Sequence, residues 1–430
     1  MHVFFPAPLL REILNYIVFA AVVTSLPFTG RGAAAVCLGL FVTGFYFIYI
    51  SGSGWSFCTE AIGRNVNLLA LLITVPLLGL PLKTGGYVVV LDTLAVKYMG
   101  KSLRMYIVPA LFSHILGVFM NIGAVPLTYE ITARGKITSF PSILARSISR
   151  GFGAALMWSP NMIATAVVLG YLAVPWQNYV YLGILFAVVS LLIGIIMELF
   201  QKEKGLECAE AEAGCSRDDY PVDRIKLGQL LVTGVIFLSI VIFIETRTML
   251  KVIDIVPVVA IVFPAVWLAL LGRVNTVKEG YGDYFRNRAG RYDGEVVLFV
   301  AAGFFSAAFS VSGWSDKLID YIMHFSTGMA SLSATILAVI LIAGVFGIHP
   351  MVPVSALASS LDQASIGISP VNMALVLIMG WALGATVSPM SGTSLVVGGL
   401  TGKSPAAVGM ANLFYSMLVA ASVVLYMAFQ

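Results

Sequence analysis

Two stretches of this 430-residue chain place small polar side chains and proline where an apolar run would otherwise be long enough to cross a bilayer. Residues 159–170 read SPNMIATAVVLG, and residues 388–399, an offset of 229, read SPMSGTSLVVGG. Ser159/Ser388, Pro160/Pro389, Val167/Val396, Val168/Val397 and Gly170/Gly399 are identical, and Gly151 matches Gly380 upstream. Proline lacks the N–H that a helix interior needs, so each stretch predicts a helix broken at membrane depth. A break leaves carbonyls on one half-helix and amides on the next. Carbonyls together with hydroxyl and amide oxygens suit Na⁺, and a helix N-terminus suits a carboxylate. One such break is as well read as a plain kink. Two in matched positions point to the binding site of a secondary transporter.

Each break has a companion upstream. In 104–134, Asn121 and Gly123 lie midway between two apolar arms, with Lys101 and Arg104 at one end and Arg134 and Lys136 at the other. In 330–362, His349-Pro350 lies midway. Both read as re-entrant hairpins. The spacing repeats: 38 residues from Asn121 to Ser159, and 39 from His349 to Ser388. Asn121, Gly123, Ser159 and Asn161 are the expected substrate-facing residues of one half, with His349, Ser391, Thr393 and Ser394 in the other. The expected cation ligands are Asn121, Ser159 and the Pro160 turn at one site, and Ser388 and Thr393 at a second. Asn121 could instead hydrogen-bond a neighbouring helix. His349 reads equally as a substrate contact, a protonatable coupling group or a packing histidine that caps a short helix.

The elements that must position these residues follow from composition. Hydrophobic residues make up 59% of the chain and charged residues 11%, too little charge for a soluble surface. Apolar runs at 12–28, 32–50 and 66–82, an interfacial stretch at 84–100, the first hairpin, an amphipathic piece at 139–150, a broken crossing at 151–174 and a crossing at 177–200 make the first half. Runs at 228–245, 251–271 and 294–312, the second hairpin, a broken crossing at 371–400 and a last span at 405–428 make the second. The polar segment 201–226 reads as a cytoplasmic linker between two repeats, 1–200 and 227–430. Five crossings per half is odd, so the repeats must be inverted in the membrane. With the loop 272–292 cytoplasmic, 20 of the 25 basic residues fall on that side, as the positive-inside rule asks. Arg11, Arg64, Arg247, Lys251 and Lys317 are the exceptions.

Other chemistry is weaker. The N-terminus has no basic n-region and no A-x-A-like cleavage site, so it reads as a retained first span. Cys37 reads as a small hydrophobe, and Cys208 with Cys215 matches no common zinc spacing. No basic stripe with interleaved aromatics speaks for nucleic acid. Asp283 and Asp293 superficially resemble a paired-aspartate protease site, but they lie in a loop crowded with arginine rather than in apolar helices. H-E-x-x-H, P-loop and G-x-S-x-G motifs are absent.

The layout resembles the ion transporter superfamily, and within it the divalent anion:Na⁺ symporter group that carries dicarboxylates, citrate and sulfate. MNIGAVPL (120–127) occupies the first hairpin tip and MWSPNMIA (157–164) the first break; GIHPMVPVS (347–355) and VSPMSGTSL (387–395) occupy the second pair. Neither tip reads Ser-Asn-Thr, as that group's tips do; Asn121 keeps the amide. The resemblance implies rigid-body, elevator-type movement of a hairpin-bearing domain against a scaffold, and a homodimer. The expectation is therefore an all-α polytopic inner-membrane protein of about ten crossings, embedded in lipid, with no enzymatic activity. It would take up a small anion, such as a carboxylate or sulfonate, with Na⁺ or alternatively H⁺. The alternatives are a cation/proton antiporter or anion exporter of the same superfamily, a membrane enzyme or a channel. Membrane-embedded carboxylates are sparse, which disfavours the antiporter. No interfacial cluster of catalytic groups is found, and paired breaks favour an occluded site over an open pore.

Overall fold

The computed structural model describes residues 8–99, 102–133, 140–201, 222–324, 326–361 and 366–430. In hydrocarbon no water is available to the backbone, so an apolar chain must satisfy its own N–H and C=O groups, and helices do this segment by segment. The described residues are accordingly mostly helical, with short turns between the helices and no strand among them. Among them, nine helices are long and apolar enough to span a membrane, or ten if a pair bent by 43° at Asn412 counts as one. The chain is an all-helical, multi-pass membrane protein. Most of the expected linker (202–221), the bases of both hairpins and the first seven residues, with Cys208, Cys215 and Asp362, lie outside the described residues.

In the first half, α1 (Pro8–Ser25) and α2 (Arg31–Ser51) precede a run of short pieces: α3 (Trp55–Gly63), α4 (Val66–Thr74), a 3₁₀ turn and α5 (Gly79–Thr84). Then come α6 (Tyr87–Tyr98), α7 (Ser102–Met120), α8 (Ala124–Thr132), α9 (Pro141–Leu156), α10 (Ile163–Leu172) and α11 (Trp176–Phe200). The second half comprises α12 (Arg224–Arg247), α13 (Val252–Leu270), α14 (Val274–Asn287), α15 (Asp293–Val311), α16 (Trp314–His324), α17 (Met329–Val345), α18 (Met351–Ser360), α19 (Pro370–Val387), α20 (Gly392–Thr401), α21 (Pro405–Ala411) and α22 (Leu413–Met427).

By length and composition alone, 103–132 could pass as one crossing. The packing forbids it. The far end of α11 (Gly194, Glu198) meets Tyr106 of α7 and Arg146 of α9. The near end of α11 (Trp176, Gly183) meets Trp158, whose Nε1 reaches His114 of α7. Helices α7 and α9 therefore run the same way, and residues 102 and 141 start at the same end. A straight helix over 102–132 would finish about 45 Å from that end, whereas the residues up to 141 span only about 30 Å. The chain must reverse at Asn121–Gly123, a 3₁₀ turn in which Asn121 takes a left-handed φ of 50°. Asparagine tolerates that conformation better than most side chains.

The second half repeats the device. Gly367, just before α19, faces Met329 at the start of α17, while Gly380 faces Ile340 and Gly344 faces Gly384. Thus α17 and α19 are parallel and α18 is the returning arm. Gly347, with φ 81°, turns the chain ahead of His349-Pro350. The returning arms exchange partners: α8 packs on α20, and α18 packs on α10.

Two expectations need correction. The amphipathic piece and the first arm of the broken crossing are one continuous, almost wholly buried helix, α9. Its two arginines are neutralised inside the protein, so it has no need of the interface. Arg146 Nε and Nη2 donate to Glu198 at 3.1 and 2.6 Å, and Arg150 Nη1 lies 3.9 Å from the same carboxylate. The last span, expected at 405–428, is present with a bend. Arg150 Nε donates to Asn412 Oδ1 (2.9 Å), while Asn412 donates to Val408 O (3.0 Å), and the bend falls on this residue. The loop at 272–292 is largely the amphipathic helix α14, whose Asp283 pairs with Arg288 at 3.3 Å.

Glu198 thus serves two buried arginines. Glu198→Leu, which strands both, should cost about 3–5 kcal/mol. Arg146→Met, which leaves Glu198 to Arg150, should cost less. Melting temperatures in detergent check the order, and equal losses would refute the shared-carboxylate account.

Candidate functional site

Both predicted breaks are present. Helix α9 ends at Leu156 and α10 begins at Ile163; α19 ends at Val387 and α20 begins at Gly392. The two breaks and two tips form one connected region. Asn161 of the first break donates to the carbonyl of Val118, three residues before Asn121. Ile122 of the first tip lies against Gly392 of the second break. Pro350 of the second tip lies against Gly384, and Gly347 faces Met390. Gly153 of α9 faces the hydroxyl of Thr386 on α19, close enough that a Cβ there would crowd it.

At the first break, side chains claim three successive carbonyls at the end of α9. Leu156 O accepts from Thr165 Oγ1 (3.1 Å), Met157 O from Tyr179 OH (2.6 Å) and Trp158 O from Trp176 Nε1 (2.8 Å). At the first break, therefore, the bare carbonyls among the described residues are those of the turn, Pro160 and Asn161, rather than those of residues 156–158. Three donors arrive from α10 and α11, and the free energy of leaving a buried carbonyl unpaired explains why they are there. Ser159, Pro160 and Asn161 are fully buried. Ser159 Oγ donates to Asn161 Oδ1, and the Asn161 amide clasps the hairpin at Val118. Both side chains are thus engaged in holding break to tip.

The second break differs. Ser388 N bonds back to Gly384 O, and Ser388 O accepts from Ser391 N and Ser391 Oγ. The carbonyls of Ala385, Thr386 and Val387 take no hydrogen bond from the described residues. Beyond the break, Ser391 caps α20 by accepting from Ser394 N (3.1 Å). Ser394 Oγ is buried with no partner, and Thr393 is buried beside it. Carbonyls without donors thus face a helix N-terminus with an orphaned hydroxyl at this break.

The tips are half-buried. Asn121 Oδ1 accepts from Ile122 N (2.8 Å), so its amide nitrogen remains for another partner. Gly123 completes the turn. His349 Nδ1 accepts from Met351 N (3.2 Å), the helix-capping role, and its ring stands edge-on to Trp381 with centroids 6.0 Å apart. The sequence missed Thr165, Trp176 and Tyr179. The available signal was a pair of aromatic hydrogen-bond donors three residues apart at the start of an apolar span.

These features define an all-helical membrane protein built on paired hairpins and broken helices. The fold is that of a solved transporter: the Alcanivorax borkumensis YdaH transporter matches with a TM-score of 0.52 at 15% identity, covering 84% of this chain and 85% of that one. By sequence the chain is similar to the anaerobic C4-dicarboxylate transporter DcuC of Escherichia coli K12 and of Shigella flexneri. Each is 24% identical over 289 residues, 62% of this chain. The match spans 60% of the length of those relatives. No protein-family model matches the chain.

Asn161→Ala would leave the Val118 carbonyl and the Ser159 hydroxyl unpaired in a buried site, at about 1–3 kcal/mol for each group. Ser159→Ala strands only one acceptor and should cost less. Thermal unfolding of the purified variants tests this ranking.

Proposed function

We propose that the protein is a secondary active transporter that takes up a small carboxylate, with a C4-dicarboxylate as the first substrate to try, coupled to Na⁺ or H⁺. The observation that carries this reading is the second break. Three carbonyls without donors sit across a four-residue gap from the N-terminus of α20, where Ser391, Thr393 and the unpartnered Ser394 hydroxyl gather. Carbonyl and hydroxyl oxygens suit a hard monovalent cation, and a helix N-terminus suits a carboxylate. Similarity to C4-dicarboxylate transporters supports the substrate class.

On this reading Ala385, Thr386, Val387 and Ser388 supply oxygens to the cation, and Thr393 and Ser394 meet the carboxylate. Asn121 reaches the substrate from the first tip with its free amide nitrogen, and His349 closes the other side. The two hairpins and two broken helices, tied together by the contacts described above, move as one body against the remaining helices. Two copies of the scaffold form a dimer. The halves are inverted repeats, and the arginine- and lysine-rich side faces the cytoplasm.

Proteoliposomes decide the matter. Uptake of a C4-dicarboxylate should depend on an inward Na⁺ or H⁺ gradient, and failure with either gradient across a panel of small carboxylates would defeat the proposal. Asn121 separates ligand from turn. Because its φ is left-handed, Asn121→Gly keeps the backbone at ease while removing the amide. Loss of uptake in Asn121→Gly, with melting temperature kept, is the expected result. Full activity in that variant would reduce Asn121 to a turn residue.

A further inference from the structure

Two polar cavities, of about 480 and 410 Å³, share Arg64 and Asn67 in their walls. Each falls in the range of about 300–1,000 Å³ typical of small-molecule sites. The first is bounded by α1, α3 and Ala307 of α15, and the second runs along α10 from Gly170 to Val167. Val167 lies only four residues, about 6 Å of helix, from the start of α10 at the first break. The cavities adjoin at Arg64 and Asn67 and together form a vestibule against the flank of α10, the helix that begins at the first break.

Its charges are uneven. Arg11 is neutralised by Glu60 at 2.7 Å, and Asp254 accepts from Asn67 at 2.8 Å. Lys251 Nζ donates to Gly170 O at 2.9 Å, which fixes it at the end of α10. Arg64 is exposed, and among the described residues it forms no ion pair. It is held nonetheless. Its guanidinium lies 5.3 Å from the centre of the Tyr171 ring, and Tyr171 OH donates to Asn65 Oδ1 at 3.3 Å. Asn65 in turn donates to Phe299 O at 2.9 Å. An arginine held against a fixed ring has its planar donors confined to a narrow arc, and a guanidinium can grip a carboxylate at two oxygens.

The sequence supplies an independent reason. Arg11, Arg64 and Lys251 are three of the five basic residues that break the positive-inside pattern. Exceptions to a charge bias that governs membrane insertion ask for a cause. Here Arg11 lines the first cavity, Lys251 the second and Arg64 both. We propose that Arg64 is an outer docking site for the carboxylate of the incoming substrate, which it holds in the vestibule before passage along α10. The inference rests on the transport reading above.

Full-length protein in proteoliposomes of zwitterionic lipid gives the test, with initial uptake of a C4-dicarboxylate measured against concentration at low and high salt. Arg64→Gln should raise KM roughly tenfold with kcat within about twofold, and should flatten the salt dependence of KM. Arg64→Lys keeps the charge without the fork and should fall between. An unchanged KM in Arg64→Gln, or a loss of kcat with KM unaltered, overturns the docking site and leaves the transport reading standing. An effect that appears only when anionic lipid is included overturns it too, by assigning Arg64 to a lipid phosphate. Absence of uptake by the unaltered protein overturns both.

Discussion

The structure depends on one constraint: a backbone interrupted inside a membrane must find partners for the groups that the interruption frees. The two breaks answer it differently. At the first, Thr165, Tyr179 and Trp176 take the three freed carbonyls, and Asn161 ties the turn to the hairpin. At the second, three carbonyls are left without protein donors, and a serine hydroxyl nearby is orphaned as well. Buried polar atoms left unpaired are costly, and their concentration at one place favours occupants that arrive from outside. The first break is therefore the more fully tied of the two, and the second leaves more of its backbone unpaired.

The ties of the first break extend into the ionic network at the far end of α9. Arg146 and Arg150 share Glu198, and Arg150 also reaches Asn412, where the last span bends. Its guanidinium lies over the rings of Tyr106 and Tyr415. Helices α7, α9, α11 and α22 are thereby joined at one point. Charges of this kind are expensive to bury and more expensive to separate, so they hold geometry rather than add much net stability. The arm that precedes the first break is fixed at both ends.

Much of this was legible in the sequence. Ser159-Pro160 and Ser388-Pro389 marked both breaks, and the positions of Asn121 and His349 marked both tips, because proline and polar residues inside apolar runs have few structural explanations. The division of labour between the breaks was not legible. It depends on Trp176, Tyr179 and Thr165, whose indole and hydroxyl groups read as ordinary membrane-span residues until folding points them at particular carbonyls. The bend at Asn412 and the continuity of α9 were hidden for the same reason. Both follow from partners 48 or more residues away, Glu198 and Arg150, and local pattern carries no record of such pairings.

The exchange of partners between halves ties these elements into a single mechanical unit. Helix α20 begins at the second break yet packs on α8 and α9 of the first half; α10 begins at the first break yet packs on α18 and α19 of the second. Ile122 against Gly392 and Gly153 against Thr386 bring the two halves within van der Waals reach at the centre. Neither break can shift alone, since each post-break helix is clamped by the opposite hairpin. Packed interiors transmit displacement rather than absorb it. A displacement at the second break is thus felt at the first tip through Gly392 and Ile122, and at the first break through Val118 and Asn161. The coupling of the two tips and the two breaks is a consequence of that interlocked packing.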